Sequence, residues 1–162
     1  MTKGGKRNTK REGELFIMSQ DFIVKASEII KANTAHGENG FGFCTISLID
    51  EDGFPTATVA TPAKSDGIKW MTFGAMLDGN KAKRVVKNNR ASISFATMEY
   101  GINLVGEVEI LTDKAIKDEM WYDGLSAHFE TGKPCDHNYC VLKFTTKRYK
   151  LFLDFQEVEG TL

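Results

Sequence analysis

From Phe41 onward apolar residues recur at every second position, in short runs closed by glycine- and aspartate-bearing turns. No other feature restricts the fold as strongly, because a period of two puts alternate side chains on opposite faces of a strand. Cys44, Ile46 and Leu48 share one face, Phe43 and Thr45 the other, and Asp52-Gly53 signals a tight turn. The next run, Thr56-Ala57-Thr58-Val59-Ala60-Thr61, has no large side chain, and Pro62 stops it. Such a strand cannot fill a core alone; bulky neighbours or something flat must lie against it. Ile68 to Phe73 reads as the third strand, broken by Gly74 to Gly79. Ala91, Ile93 and Phe95 alternate along a fourth, and Ile102, Leu104, Val108 and Ile110 face inward along a fifth. Tyr139 to Thr145 reads as a sixth, and Tyr149, Leu151, Leu153 and Phe155 alternate along the last. The expected fold class is mainly β: a small antiparallel barrel of six or seven strands with flanking helices.

Three stretches carry helical spacing. Ser19 caps an expected helix from about Gln20 to Asn33, with Phe22, Ala26, Ile29 and Ile30 on one face. Asn80 to Lys87 places Ala82, Val85 and Val86 on one face, and Lys81, Lys83, Arg84 and Lys87 on the other, with no acid among them. A third helix begins at Thr112 or Asp113 and runs to about Tyr122, with Ile116 and Met120 one turn apart and Trp121 beside them. Residues 1–18 hold Lys3, Lys6, Arg7, Lys10 and Arg11 and read as a disordered basic tail, leaving a single domain at 19–158.

A net charge of −1 gives no reason to expect nucleic acid, and no apolar run reaches the ~20 residues of a membrane span. No signal-peptide pattern opens the sequence. Cys44, Cys135 and Cys140 make an odd count, expected as reduced thiols in a cytoplasmic protein. The run Cys135-Asp136-His137-Asn138-Tyr139-Cys140 invites a zinc reading, but its spacing is not a usual knuckle and a second ligand pair is missing, so no metal ligand is assigned. His36 and His128 stand near no nucleophile at a triad's spacing, and Glu107 and Glu109 read as a solvated outer face. No catalytic side chain is assigned.

The remaining signal is Lys81. A cation in the first turn of a helix opposes the positive end of the dipole, and an anion bound there reverses that penalty. Strand Thr56–Thr61 is thin enough for its backbone to approach a planar ring. Together they describe half a pocket for a flat, phosphorylated cofactor.

The run ATVATP, the turn SDG, the strand IKWMTF, then NKAKRVVKNNRASISF and LVGEVEILTD resemble the flavin-binding split-barrel superfamily, near pyridoxamine-phosphate oxidase and its general stress protein branch. Trp121 through Pro134 and the strand YCVLKF fit the same branch, so the resemblance spans about residues 20–155. It implies a split barrel that binds FMN as a homodimer, with flavin at the interface and a small-molecule electron donor or acceptor. By position, Thr58, Val59, Ala60 and Thr61 correspond to the ledge under the isoalloxazine and ribityl chain. Thr72 and Phe73 correspond to the ribityl–phosphate region, Asn80 and Lys81 to the phosphate pair, and Trp121 to a cover reaching from the partner subunit. Asn80 replaces a more usual partner and no arginine stands on strand Thr56–Thr61, which implies a weaker phosphate grip. The last residues, KRYKLFLDFQEVEGTL, lack the tryptophan and arginine-x-histidine motif of the true oxidase, so that activity is not expected. The implied function is an FMN-dependent oxidoreductase. The alternatives are a non-enzymatic flavin carrier or sensor, and a haem- or deazaflavin-binding barrel with His128 or His137 as the haem ligand.

Overall fold

The computed structural model describes residues 6–162, and the first part of the expected tail lies outside them. Element order is α1 (Lys6–Ala32), β1 (Cys44–Ile49), β2 (Pro55–Ala60), β3 (Trp70–Met76), α2 (Asn80–Lys87), β4 (Arg90–Ala96), β5 (Tyr100–Leu111), α3 (Lys114–Met120), a 3-10 turn (Asp123–His128), β6 (Tyr139–Leu153) and β7 (Gln156–Thr161). All seven strands are antiparallel in one sheet, in the order β2-β1-β4-β5-β6-β3, with β7 also on β6. No helix among the described residues is long and apolar enough to cross a membrane.

The sheet curls into a barrel that is split between its two ends, β2 and β3. Residues after β2 bridge the gap: the Ala63 N–H donates to the Thr72 carbonyl at 2.7 Å and the Thr72 N–H to the Lys64 carbonyl at 2.9 Å. Ile46, Ile93, Leu104, Leu142 and Phe144 are buried inside, and α1 closes one side with Phe22, Ala26 and Ile30. A second apolar cluster, built on Met120, Leu125, Phe129 and Tyr139, lies under α3 and the 3-10 turn.

Strand β6 corrects the sequence reading. What appeared as two strands is one of 15 residues. Tyr139 to Leu142 are buried on both faces, since the second cluster covers Tyr139 and Val141; beyond them the buried positions are even-numbered as far as Thr146 and odd-numbered from Tyr149. The switch comes from a bulge: Val105 pairs with Arg148 and Gly106 with Thr146, so Lys147 is the extra residue. A bulge reverses the facing of everything beyond it, which in sequence looks like a new strand. β7 was not anticipated. It follows a two-residue turn at Asp154 (φ 51°) and Phe155 (φ 59°), both left-handed, without the Asn-Gly or Asp-Gly pair that announces such a hairpin.

Two further boundaries and one helix face differ. Helix α1 starts at Lys6, so residues 6–18 are helical rather than unstructured; Lys, Arg, Glu and Leu there are good helix formers. Ser19 consequently lies inside the helix, where its hydroxyl pairs with that of Tyr149 at 3.3 Å instead of capping. β3 continues through Gly74 to Met76, because Gly74 pairs with Val141. A Cβ on Gly74 would stand 2.7 Å from Leu125 Cδ2, so here glycine serves close approach, not a break. In α2, Ala82 and Val85 are buried as expected but Val86 is 77% exposed. The buried arc is rolled away from Val86 toward the opposite flank, where Lys81 and Arg84 are half-buried.

Phe155 is 92% exposed and held left-handed, a conformation that costs a residue with a Cβ about 1–2 kcal/mol. Phe155→Gly relieves this strain but gives up the Phe152 edge contact and adds the unfolded-state entropy of glycine, so the three effects are expected to offset to within about 1 kcal/mol, read as a small shift of the urea unfolding midpoint.

Candidate functional site

A cleft of about 540 Å³ opens at the split. One side is β2 and the residue after it, Thr58 to Thr61, whose small side chains leave the backbone accessible. Phe73 to Met76 of β3 line it as well, and the start of α2 contributes Gly79, Asn80, Lys81 and Arg84. Tyr122, Leu125, His128 and Phe129 come from the 3-10 turn and its flanks. No aspartate or glutamate is among the lining residues.

The electrostatics follow from that composition. Lys81 is half-buried and makes no ion pair or side-chain hydrogen bond among the described residues. Burial pushes its ammonium below the ordinary lysine value, with the neighbouring Cys44 only partly opposing. Burial also raises the Cys44 thiol to about 12, so it stays protonated at neutral pH. Gly79 caps α2 without a side chain, which leaves the first-turn N–H groups without a side-chain acceptor. Arg84 lies one turn beyond Lys81; its Nε and one terminal nitrogen each stand 3.4 Å from the Glu51 carboxylate. Burial raises the Tyr122 phenol, which therefore remains a neutral donor. Its ring is braced edge-on by His36 and Phe41, at centroid distances of 6.4 and 5.9 Å.

A volume near 540 Å³, a thin wall, a lysine with no counter-acid among the described residues and an arginine held only at 3.4 Å by Glu51 suit a planar ligand with an anionic tail. FMN fits that description on these residues alone.

The family described as pyridoxamine 5'-phosphate oxidase matches residues 31–152 of the sequence. The chain belongs to that family. Its fold is that of solved relatives. A protein related to general stress protein 26 of B. subtilis, from Clostridium acetobutylicum, is 22% identical with a TM-score of 0.65, over 92% of this chain and 95% of that one. The general stress FMN/FAD binding protein of Xanthomonas citri is 18% identical with a TM-score of 0.61, over 85% and 95%. A pyridoxamine 5'-phosphate oxidase-related, FMN binding protein of Nostoc punctiforme is 10% identical with a TM-score of 0.56, over 74% and 86%. No curated protein matches the sequence.

In this pyridoxamine 5'-phosphate oxidase family member, Thr58, Val59, Ala60, Thr61, Phe73, Asn80 and Lys81 come together around the one cleft. Thr72 does not join them. Its hydroxyl is buried on the other side of β3, against Lys64 backbone and Met120 Sδ (3.2 Å), because adjacent residues of a strand face opposite ways. Trp121 also lies outside its own chain's cleft, edge-on to Tyr139 at 5.0 Å and tilted against Phe129 at 5.8 Å. Its neighbour Tyr122 is the one that lines the cleft. Arg84, Tyr122 and Phe129 were not read as site residues. Only the i, i+3 spacing of Lys81 and Arg84 on one helix could have signalled any of them.

The segment that frames this wall is organised by Asp136. Its carboxylate accepts the N–H groups of Thr131 (3.0 Å) and Asn138 (2.9 Å), and Lys117 Nζ donates to its carbonyl at 2.8 Å. Cys140 is buried in the core and Cys135 is exposed. The Thr131 and Asn138 hydrogen bonds hold the Asp136 carboxyl below the usual carboxylate range. Its contribution to stability is then complete above about pH 3.9 and is lost as pH falls through the lowered value. Asp136→Asn is expected to lower the melting temperature at pH 7 and to flatten its decline below pH 4, measured by thermal unfolding across pH.

Proposed function

We propose that this chain binds FMN in the cleft, with its phosphate at the start of α2 and its ring along β2, and that it serves as a flavin-dependent oxidoreductase. The observation that carries this reading is the desolvated Lys81, unpaired among the described residues, beside Arg84 in a cleft lined by no acid. Membership of the family supports it, as does the likeness in fold to a solved FMN binding protein and a solved FMN/FAD binding protein. When bound, FMN supplies the redox chemistry; the chain's own residues bind, orient and shield it. Asn80, Lys81 and the free N–H groups of α2 would take the phosphate, and Thr58 to Thr61 would lie along the ring.

A homodimer with flavin at the interface belongs to the same proposal. β2 is a sheet edge, and Val59 (65% exposed), Phe43 (67%) and Phe41 (60%) are large apolar residues left in water near it. In this arrangement Trp121 reaches flavin only across the interface. The absence of any carboxylate from the cleft lining also suits a flavin carrier or sensor. Rapid reduction of bound flavin by NADH or NADPH in stopped flow indicates an enzyme, and tight binding without reduction indicates a carrier.

Lys81→Ala is expected to weaken FMN about ten- to a hundredfold, the loss of one charge-assisted hydrogen bond, while riboflavin affinity changes less than about twofold. Equal weakening of both would remove the phosphate role. Protonated Lys81 favours the phosphate, so wild-type affinity for FMN should be full below the lowered lysine value and decline as pH rises through it, with riboflavin flat over the same range. Fluorescence titration at alkaline pH measures both.

A further inference from the structure

The β1–β2 hairpin sends a carboxylate to the anion-binding corner of the cleft. Asp50 folds that hairpin tightly. One oxygen accepts the N–H groups of Asp52 (3.0 Å) and Phe54 (2.9 Å), and the other the Thr56 hydroxyl (2.8 Å). Asp50 is therefore committed to the turn. Its neighbour Glu51 is free to reach Arg84, and does so with both oxygens at 3.4 Å. Charge-assisted pairs of good geometry close to about 2.7–2.9 Å, so this one is loose. The two partners are also unequally placed: the Arg84 side chain is 16% exposed and that of Glu51 53%. Glu51 loses little on returning to water, whereas Arg84 stays in the cleft wall with Lys81 on the same helical face. The Nε edge that Glu51 occupies is the planar fork that matches a phosphate bidentately.

We propose that Glu51 is an internal competitor for the cleft's phosphate-binding cations: it holds Arg84 until a phosphate monoester displaces it, so the hairpin sets anion affinity. The proposal rests on the cleft being the phosphate site described above. Arg84 is then a specificity residue that distinguishes FMN from riboflavin, and Glu51 is a brake on it.

The test is titration of wild type, Glu51→Gln, Arg84→Gln and the double variant with FMN and with riboflavin, each first shown to melt cooperatively. Glu51→Gln is expected to tighten FMN about two- to fivefold, the size of an exposed ion pair, and to leave riboflavin unchanged. Arg84→Gln should weaken FMN alone, and adding Glu51→Gln to it should change nothing further. Glu51→Ala gives an independent version of the same charge removal. Weaker FMN binding by Glu51→Gln makes Glu51 a support for Arg84 and overturns the proposal; unchanged FMN binding, or equal tightening of both flavins, overturns it too. If wild type binds neither flavin, the functional reading fails separately. The same variants are then titrated with inorganic phosphate, where tighter binding by Glu51→Gln upholds the competition and no difference ends it.

Discussion

One strand determines where everything else can go. β6 pairs with β5 along nearly its whole length, and on its other edge with β3 in its first half and β7 in its second. A straight 15-residue strand could not face the same core at both ends of so small a barrel. The bulge at Lys147 solves this by letting Cys140, Leu142 and Phe144 point inward before it, and Tyr149, Leu151 and Leu153 after it. Because β3 is held on the first half of β6, it stands facing β2 across the split. The cleft is thus a consequence of strand pairing, with its width set by backbone ladders rather than by flexible loops.

Chemistry enters the cleft through what the chain leaves uncompensated. Burying the Lys81 ammonium without a carboxylate is unfavourable, and the N–H groups of the uncapped α2 start add positive potential at the same place. Elsewhere the chain matches its charges readily: Lys25 with Asp154 at 2.7 Å, Lys150 with Glu157 at 3.0 Å. The contrast gives Lys81 its meaning. Arg84 stands between the two cases, held by a carboxylate that is itself half in water, so the field in the cleft depends on a turn outside its lining. On the other flank, Asp136 accepts the backbone N–H groups of Thr131 and Asn138 and so fixes the segment that follows Phe129.

How far the residues alone reached can be traced element by element. Asn80–Lys87 was read to its ends, since a basic amphipathic stretch between two β-rich runs has few other readings. Thr58 to Thr61 and Lys81 were legible because an absence of bulk and a misplaced cation are both visible locally. The family resemblance placed Thr72 and Phe73 together in the ribityl–phosphate region, yet alternation sends the two side chains to opposite sides, and only pairing shows which side is which. The division of β6 into two strands had the same origin: a parity change in sequence cannot separate a bulge from a break. The Asp154-Phe155 turn carried no glycine or asparagine, and its left-handed phenylalanine is imposed by the strands it joins.

The sequence by itself determined a mainly β chain with a small-sided strand and a cation set against a helix dipole, because composition and period act within a few residues. Tertiary structure decided which strands became edges, which face of β3 met the cleft, and that Glu51, 33 positions from Arg84, would oppose it. Those outcomes depend on pairing and closure between distant segments, and no local pattern records which segments will meet.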